Sequence, residues 1–491
     1  MAFTCLVIMH HALSLVGAMR IGLVSGDGLP VSGLLTVFRN VLNLGVGMGI
    51  VDPYVPADLG FSWRPDKPSF FPDGQGEIHA PSWMQVAPHY IRGDSRELAL
   101  ALIRLRNGIA EFEGASPGDK AALKSSFATL QSVYYKQFTR WLDEIAVDWI
   151  FAVNMTLSDS APATAALHEA AGRYFSARES GGVVFWDHDL FGSCAVPNSD
   201  TGGRLYPPTP NELTPLPRAR NQNRWVVVSR ALEYEGSRYP TDLSPVAVPN
   251  VIPRSGQGAL QARHREFLAE KDLQPSRPVL LSPVRVSRVK GVDLSIRVLA
   301  EMLRLAGIHG ARRPYLLIFG SLDEEPAYAQ EVMRIAYELN VAGDVIFLNG
   351  VPLTSEHDSG GHWRLDECDL LQIAAWTRGG IIFTPGFPDI ESVGLGPALS
   401  ALAGIPFLVT RYDAFESVYG PSMTYTSLEP TNSGIAAAAR EFMCTLHRFR
   451  NDDFTLLESL RRNETIVGKR FPDDGWRQQW RQLSRVTSGP R

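Results

Sequence analysis

The chain lacks the features that mark several large protein classes. Its 491 residues include four cysteines, Cys5, Cys194, Cys368 and Cys444, with no C-x-x-C spacing. That pattern supports neither a disulfide framework nor a cysteine-based zinc site, and it suits a reducing cytoplasm. No metal-ligand cluster stands out. The acidic run Asp366, Glu367 and Asp369 reads as a solvated turn. A net charge of −5 carries no polyelectrolyte signature, so nucleic acid is not an indicated partner. Tandem repeats and low-complexity tracts are absent. Lysine is scarce: seven lysines leave 40 arginines among the 47 basic residues, which makes Lys290 conspicuous.

The first 18 residues contain no Lys or Arg, so they lack the basic leader of a signal peptide. With His10 and His11 inside it, the segment is marginal as a membrane span, and no stable span is expected. It reads as an extension or a mis-assigned start, with Met19 opening the first domain.

What is present is alternation. Arg20 to Ser25 reads as a buried strand running into the turn Gly26-Asp27-Gly28 and a helix over 34–44. Residues 48–95, rich in Pro, Gly and aromatics without periodicity, read as a long loop or insertion. Helices follow at 95–113 and 120–145, then a strand at 148–157 that carries Asn154. A helix at 161–174 leads to a strand at 182–186 that ends in Asp187-His188-Asp189. A Pro-rich loop spans 191–222, before short strands at 225–229 and 246–248. A second series has strands at 278–282, 315–319, 345–348, 380–384 and 407–410 with helices between, then helical residues 433–464 and a Trp/Arg/Gln-rich tail. This alternation predicts an α/β protein with two doubly wound, Rossmann-like domains, 19–252 and 253–470. A terminal helix, 471–491, is placed to cross back to the first. Ligands of such sheets bind beyond the carboxyl ends of the strands, so the cleft between two facing domains is the expected site.

Two segments carry chemistry. In FTPGFPDIESVGLGPALSALAGIPFLVT, residues 383–410, an acid at Glu391 precedes a helix opening at Val393-Gly394-Leu395, and Gly404 and Pro406 stop that helix before the next strand. Free N–H groups and the helix dipole suit an anion, and Glu391 can accept hydrogen bonds from hydroxyls. In LLSPVRVSRVKG, residues 280–291, a strand ends in a loop holding Arg285 and Lys290. Arginine grips phosphate oxygens bidentately, and lysine adds a mobile point charge.

Together these segments resemble family 4 of the retaining glycosyltransferases, which have the GT-B fold. Arg285 to Gly291 resembles the family's R-x-x-x-x-K-G loop. Leu317 to Gly320 resembles its glycine-ended strand. Glu391, Gly394, Leu395, Gly404 and Pro406 fall in register with E-x-F-G-L-x-x-x-E-A-x-A-x-G-x-P. The match is strong over about 280–420 and looser elsewhere. Three departures stand out. Leu399 takes the place of the second glutamate, which in the family holds the nucleotide ribose. Val393 replaces a Phe, and Val248 to Ile252 keeps only the Asn of an N-G-V-D turn, at Asn250. In the first domain Gly26, Asp27 and Gly28 resemble the family's glycine loop. Asn154, His188 and Asp189 resemble its residues at successive strand ends.

The resemblance implies a metal-independent, cofactor-free sugar transfer with retention, from a GDP- or UDP-linked donor. Arg285, Lys290 and the N–H groups near Gly394 and Leu395 would stabilise the leaving diphosphate. Glu391 would orient sugar hydroxyls and His188 would contact the sugar from the other domain. The unusual segments 48–95 and 191–222 fit a small-molecule acceptor such as an antibiotic or other specialised metabolite. Two other readings are a sugar-nucleotide-binding protein without turnover, suggested by Leu399, and a nicotinamide-dependent dehydrogenase, which the missing GxGxxG disfavours.

Overall fold

The computed structural model describes residues 18–26, 33–60, 63–64, 80–87, 95–157, 159–178, 180–194, 205–255, 258–387, 391 and 393–487. The chain divides into two compact units. One holds the described residues up to Val251 together with those from Asp473 on, and the other holds those of Ile252–Pro472.

The first unit is built on a seven-stranded, all-parallel sheet in the order β3-β2-β1-β4-β5-β6-β7. Its strands are β1 (Ile21–Ser25), β2 (Val55–Asp58), β3 (Met84–Val86), β4 (Trp149–Val153), β5 (Gly182–Asp187), β6 (Arg224–Val227) and β7 (Val246–Ala247). The central strands IGLVS, WIFAV and GVVFWD are buried along their whole length. Unbroken apolar runs are what a parallel sheet covered on both faces requires. Helices Gly33–Gly47, Pro117–Glu144 and Ala161–Ser176 are among those that connect them. Ser116 caps the second of these by accepting from Asp119 N, with Pro117 in the first turn, where its missing N–H costs nothing.

Residues 48–95 are not a continuous loop, because β2 and β3 lie within them. Both are short, β2 carries Pro56, and β3 is the edge strand, so neither shows the length or alternation that marks a strand in sequence.

The terminal helix Asp474–Thr487 belongs to the first unit. Trp476 and Trp480 are fully buried. The Trp480 indole donates to the Val41 carbonyl at 3.0 Å, and its ring centroid lies 5.2 Å from that of Phe151. Gly45 makes room for it, since a Cβ there would approach the indole to 2.9 Å. Trp480→Ala is expected to cost about 3–5 kcal/mol, read as a lower denaturant midpoint.

The second unit repeats the architecture with six parallel strands in the order β10-β9-β8-β13-β14-β15. These are β8 (Val279–Ser282), β9 (Tyr315–Ile318), β10 (Val345–Phe347), β13 (Gly380–Phe383), β14 (Phe407–Thr410) and β15 (Thr426–Leu428). A small antiparallel hairpin, β11 (Glu356–His357) with β12 (Trp363–Arg364), is inserted after β10. Trp363 anchors it by donating from its indole to Glu266 at 2.6 Å and from its backbone to Glu270 at 2.9 Å.

The acidic run at 366–369 is not a solvated turn. Asp366 caps helix Glu367–Trp376 through Asp369 N. Asp369 is buried, accepts two bonds from Arg263 at 2.6 and 2.8 Å, and meets His264 Nε2 at 2.8 Å. These partners hold its carboxyl below the usual carboxylate range against the opposing effect of burial.

In both sheets the chain reverses direction of winding at one place, between β1 and β4 in the first and between β8 and β13 in the second. At such switch points the connections leave a crevice at the carboxyl ends of the strands.

Candidate active site

The second switch point carries Arg285, Lys290 and Glu391 of the residues that the sequence singles out. After β8 the chain forms a loop and one turn of 3-10 helix, Arg288–Lys290, and then helix Val292–His309. Gly291 makes this possible with a left-handed φ of 58°, and a Cβ there would collide with the Thr384 carbonyl. Thr384, just past β13, donates to the Gly291 carbonyl at 2.8 Å, and its hydroxyl pairs with Ser295 at 2.7 Å. The basic loop is thereby tied to the end of β13.

Lys290 Nζ lies 2.7 Å from Glu391 Oε2. The other oxygen of that carboxylate accepts from Gly394 N at 3.1 Å. Glu391 thus bridges the cation and the entry to helix Leu395–Ala403. Gly394 has a φ of 64°, and a Cβ on it would collide with the Tyr412 hydroxyl. Tyr412 donates to the Val393 carbonyl at 2.6 Å and Tyr419 to the Gly394 carbonyl at 2.5 Å. Burial pushes both phenols up, so they serve as donors that fix this turn.

The sequence points to N–H groups near Gly394 and Leu395 for an anion. The helix begins at Leu395, and the Gly394 N–H is already engaged by Glu391. The open donors are the N–H groups of Leu395 and Gly396, which have no acceptor among the described residues. Pro397 contributes none. Two such N–H groups at a helix start are donors of the kind that suit an anion.

Arg285 sits in the same loop, half-exposed, with Nε 3.9 Å from the buried Glu324 carboxylate. Glu324 also accepts from Ser321 N at 3.0 Å. Gly320 allows the approach, because a Cβ there would lie 2.8 Å from the Arg285 Cα. Sequence reading missed Glu324: in the run Asp323-Glu324-Glu325 nothing marks the acid that folds under an arginine. Leu399, at the place of the second family acid, is 4% exposed inside helix Leu395–Ala403 and belongs to the core.

At the first switch point, Gly26 follows β1; Asp27 and Gly28 lie outside the described residues. Arg64, buried, reaches the Gly26 carbonyl at 3.3 Å and pairs with Asp159 at 2.7 Å. Asn154 follows β4 with a left-handed φ of 54°. Its Oδ1 accepts from His188 N at 3.0 Å and Asp189 N at 3.1 Å, so it shapes the turn after β5. His188 is 8% exposed, with Nε2 3.2 Å from Asn250 Oδ1 and its ring centroid 4.9 Å from that of Trp186. Asn154, His188 and Asp189 are therefore brought together. Asn250, visible in the sequence only as a remnant of a turn motif, proves to hold the histidine.

Asp187, the last residue of β5, is fully buried. It accepts from Thr156 N at 3.1 Å, from the Thr156 hydroxyl, and from the Trp225 indole at 2.8 Å. Burial outweighs these donors and pushes its carboxyl up to about 7. The native state then holds a proton that the unfolded chain releases near pH 4, so this group's contribution to stability falls as pH rises from about 4 through about 7. Asp187→Asn is expected to flatten that slope in denaturation curves collected across this range. The slope carries the test, because an amide facing the Trp225 N–H alters absolute stability by itself.

Among the described residues no group of three or more His, Cys, Asp or Glu could hold a metal ion, and no helix is long and apolar enough to cross a membrane.

No family model matches the chain, and no curated protein sequence matches it. Solved structures do. Sucrose-phosphate synthase from Thermosynechococcus elongatus has a TM-score of 0.52 at 14% identity, over 95% of this chain and 98% of that one. The Anabaena protein HepE in complex with UDP-glucose gives 0.52 at 14% identity, over 94% and 98%. WaaG, a glycosyltransferase involved in lipopolysaccharide biosynthesis, gives 0.51 at 14% identity, over 96% and 100%. The chain has the fold of these enzymes, GT-B, with two parallel sheets and their helices.

Proposed function

We propose that the chain is a retaining glycosyltransferase that uses a nucleotide diphosphate sugar, GDP- or UDP-linked, as donor. One observation carries this reading: Lys290 meets Glu391 at the entry to helix Leu395–Ala403, with Arg285 on the same loop as Lys290, where β8 and β13 form the switch point of the second sheet. As the bond from sugar to diphosphate breaks, charge builds on the departing phosphate. Two cations and a helix start are the groups that stabilise such charge, and they do so from side chains and backbone alone. Glu391 supplies a carboxylate for sugar hydroxyls. In the proposed step the acceptor attacks on the face the diphosphate leaves, and the leaving phosphate oxygen takes its proton. His188 is proposed as a sugar contact, supported by its place at the carboxyl end of β5 and by the hold of Asn250 on its ring. The acceptor we propose is a small specialised metabolite, in the cytoplasm; what supports this is the aromatic and Pro-rich character of segments 48–95 and 191–222.

Leu399 favours a second reading. An apolar core residue at that place offers no acceptor to a ribose, as a binding protein without turnover would tolerate. Incubation with UDP- and GDP-sugars separates the two. Release of nucleoside diphosphate, by slow hydrolysis or by transfer, is expected. Saturable binding with no release supports the second reading, and absence of both binding and release removes both.

A further inference from the structure

The arginine-rich composition has a local consequence far from the switch point. Four arginines meet at the amino-terminal end of the second sheet, where β8 and β9 begin. Arg277 precedes β8, Arg312 and Arg313 precede β9, and Arg450 ends helix Asn432–Arg450. Arg277 donates to the carbonyls of Arg313 at 2.8 Å and Pro314 at 3.3 Å, and its guanidinium lies 3.6 Å from the Tyr315 ring centroid. It also bonds Asp344, which accepts from Arg313 at 2.8 Å as well. One carboxylate therefore serves two guanidinium groups.

Arg312 and Arg450 have no carboxylate partner among the described residues. Both donate to one neutral atom, the Ser276 carbonyl oxygen, at 2.6 and 3.4 Å. Their charges repel: burial and the Arg312 charge together hold Arg450 below the usual arginine range. Each guanidinium has five donors in a fixed fork, and such forks match phosphate oxygens. An anion shared by the pair would relieve the repulsion that a carbonyl dipole cannot.

We propose that Arg312 and Arg450, converging on the Ser276 carbonyl beside Arg277 and Arg313, form a binding site for a phosphoryl group, separate from the donor site. The ligand is a phosphate-bearing anion, either free or on a lipid headgroup. The site stands whether or not the chain transfers sugars.

The test uses the full chain carrying Arg285→Ala, which removes one of the two cations of the proposed donor site, with and without Arg312→Gln and Arg450→Gln. Pyrophosphate is titrated by calorimetry against chloride at matched ionic strength. In parallel, the proteins are sedimented with phosphatidylcholine vesicles that contain or lack phosphatidic acid. Circular dichroism checks the fold, and the single exposed change Arg312→Gln serves if the double change disturbs it. Pyrophosphate binding that weakens by about tenfold or more in the substituted protein identifies a free anion as the ligand. Vesicle binding that needs phosphatidic acid and is lost on substitution identifies a headgroup. No response to either probe, or equal responses with and without the substitutions, overturns the proposal.

Discussion

Lys290→Ala is expected to lower kcat/KM for the sugar donor by about 10²-fold or more while leaving the fold intact. Lys290 Nζ pairs with Glu391, which also takes the Gly394 N–H at the entry to helix Leu395–Ala403, where the leaving phosphate would gain charge. A charge-assisted bond to an anion is worth about 1.5–3 kcal/mol, which corresponds to roughly ten- to more than a hundredfold in rate. Arg285→Ala is expected to cost a comparable factor, because its fork is the second cation on the same loop. Its neighbour Glu324 holds a carboxylate close by. Steady-state kinetics check both variants. Near-normal rates in folded protein would remove the loop from the mechanism.

Glu391→Ala is expected to produce a loss of similar size, about 10²-fold in kcat/KM, but with a different signature. This carboxylate engages both Lys290 Nζ and the Gly394 N–H. It therefore competes for Lys290, the cation that a phosphate would use. Removing it should abolish orientation of the sugar yet leave binding of the bare nucleoside diphosphate unchanged or tighter. Transfer and diphosphate affinity should thus move apart, and calorimetry beside kinetics reads the split. Parallel losses in both would mean that Glu391 shapes the loop and does not act on the sugar. Glu391→Gln refines the assignment, since it keeps an acceptor for Gly394 N while ending the ion pair.

Much of this arrangement is legible in sequence because it is local. A buried strand, a breaker and a helix start repeat at β8 and β13, and Arg285, Lys290 and Glu391 sit where strand turns into helix. The glycines that permit the turns, Gly291 and Gly394, are visible for the same reason. What is not legible depends on tertiary partners. Glu324 looks like one acid of a solvated run until Gly320 lets its loop fold against Arg285. Asp369 reads as exposed until Arg263 and His264 close on it. The Gly394 N–H reads as a free donor until Glu391 takes it. Strands β2 and β3 escape notice because strands this short, at or next to the sheet edge, owe their place to a neighbour and not to their own pattern.

Calorimetric titration of UDP and of GDP into the wild-type protein and into the Arg285→Ala/Lys290→Ala double variant tests the central claim, that the second switch point binds the donor diphosphate. The account predicts saturable binding of at least one nucleotide to the wild type, weakened about 10²-fold or beyond detection in the folded variant. Equal affinity in the two proteins, or no binding of either nucleotide to the wild type, would contradict it.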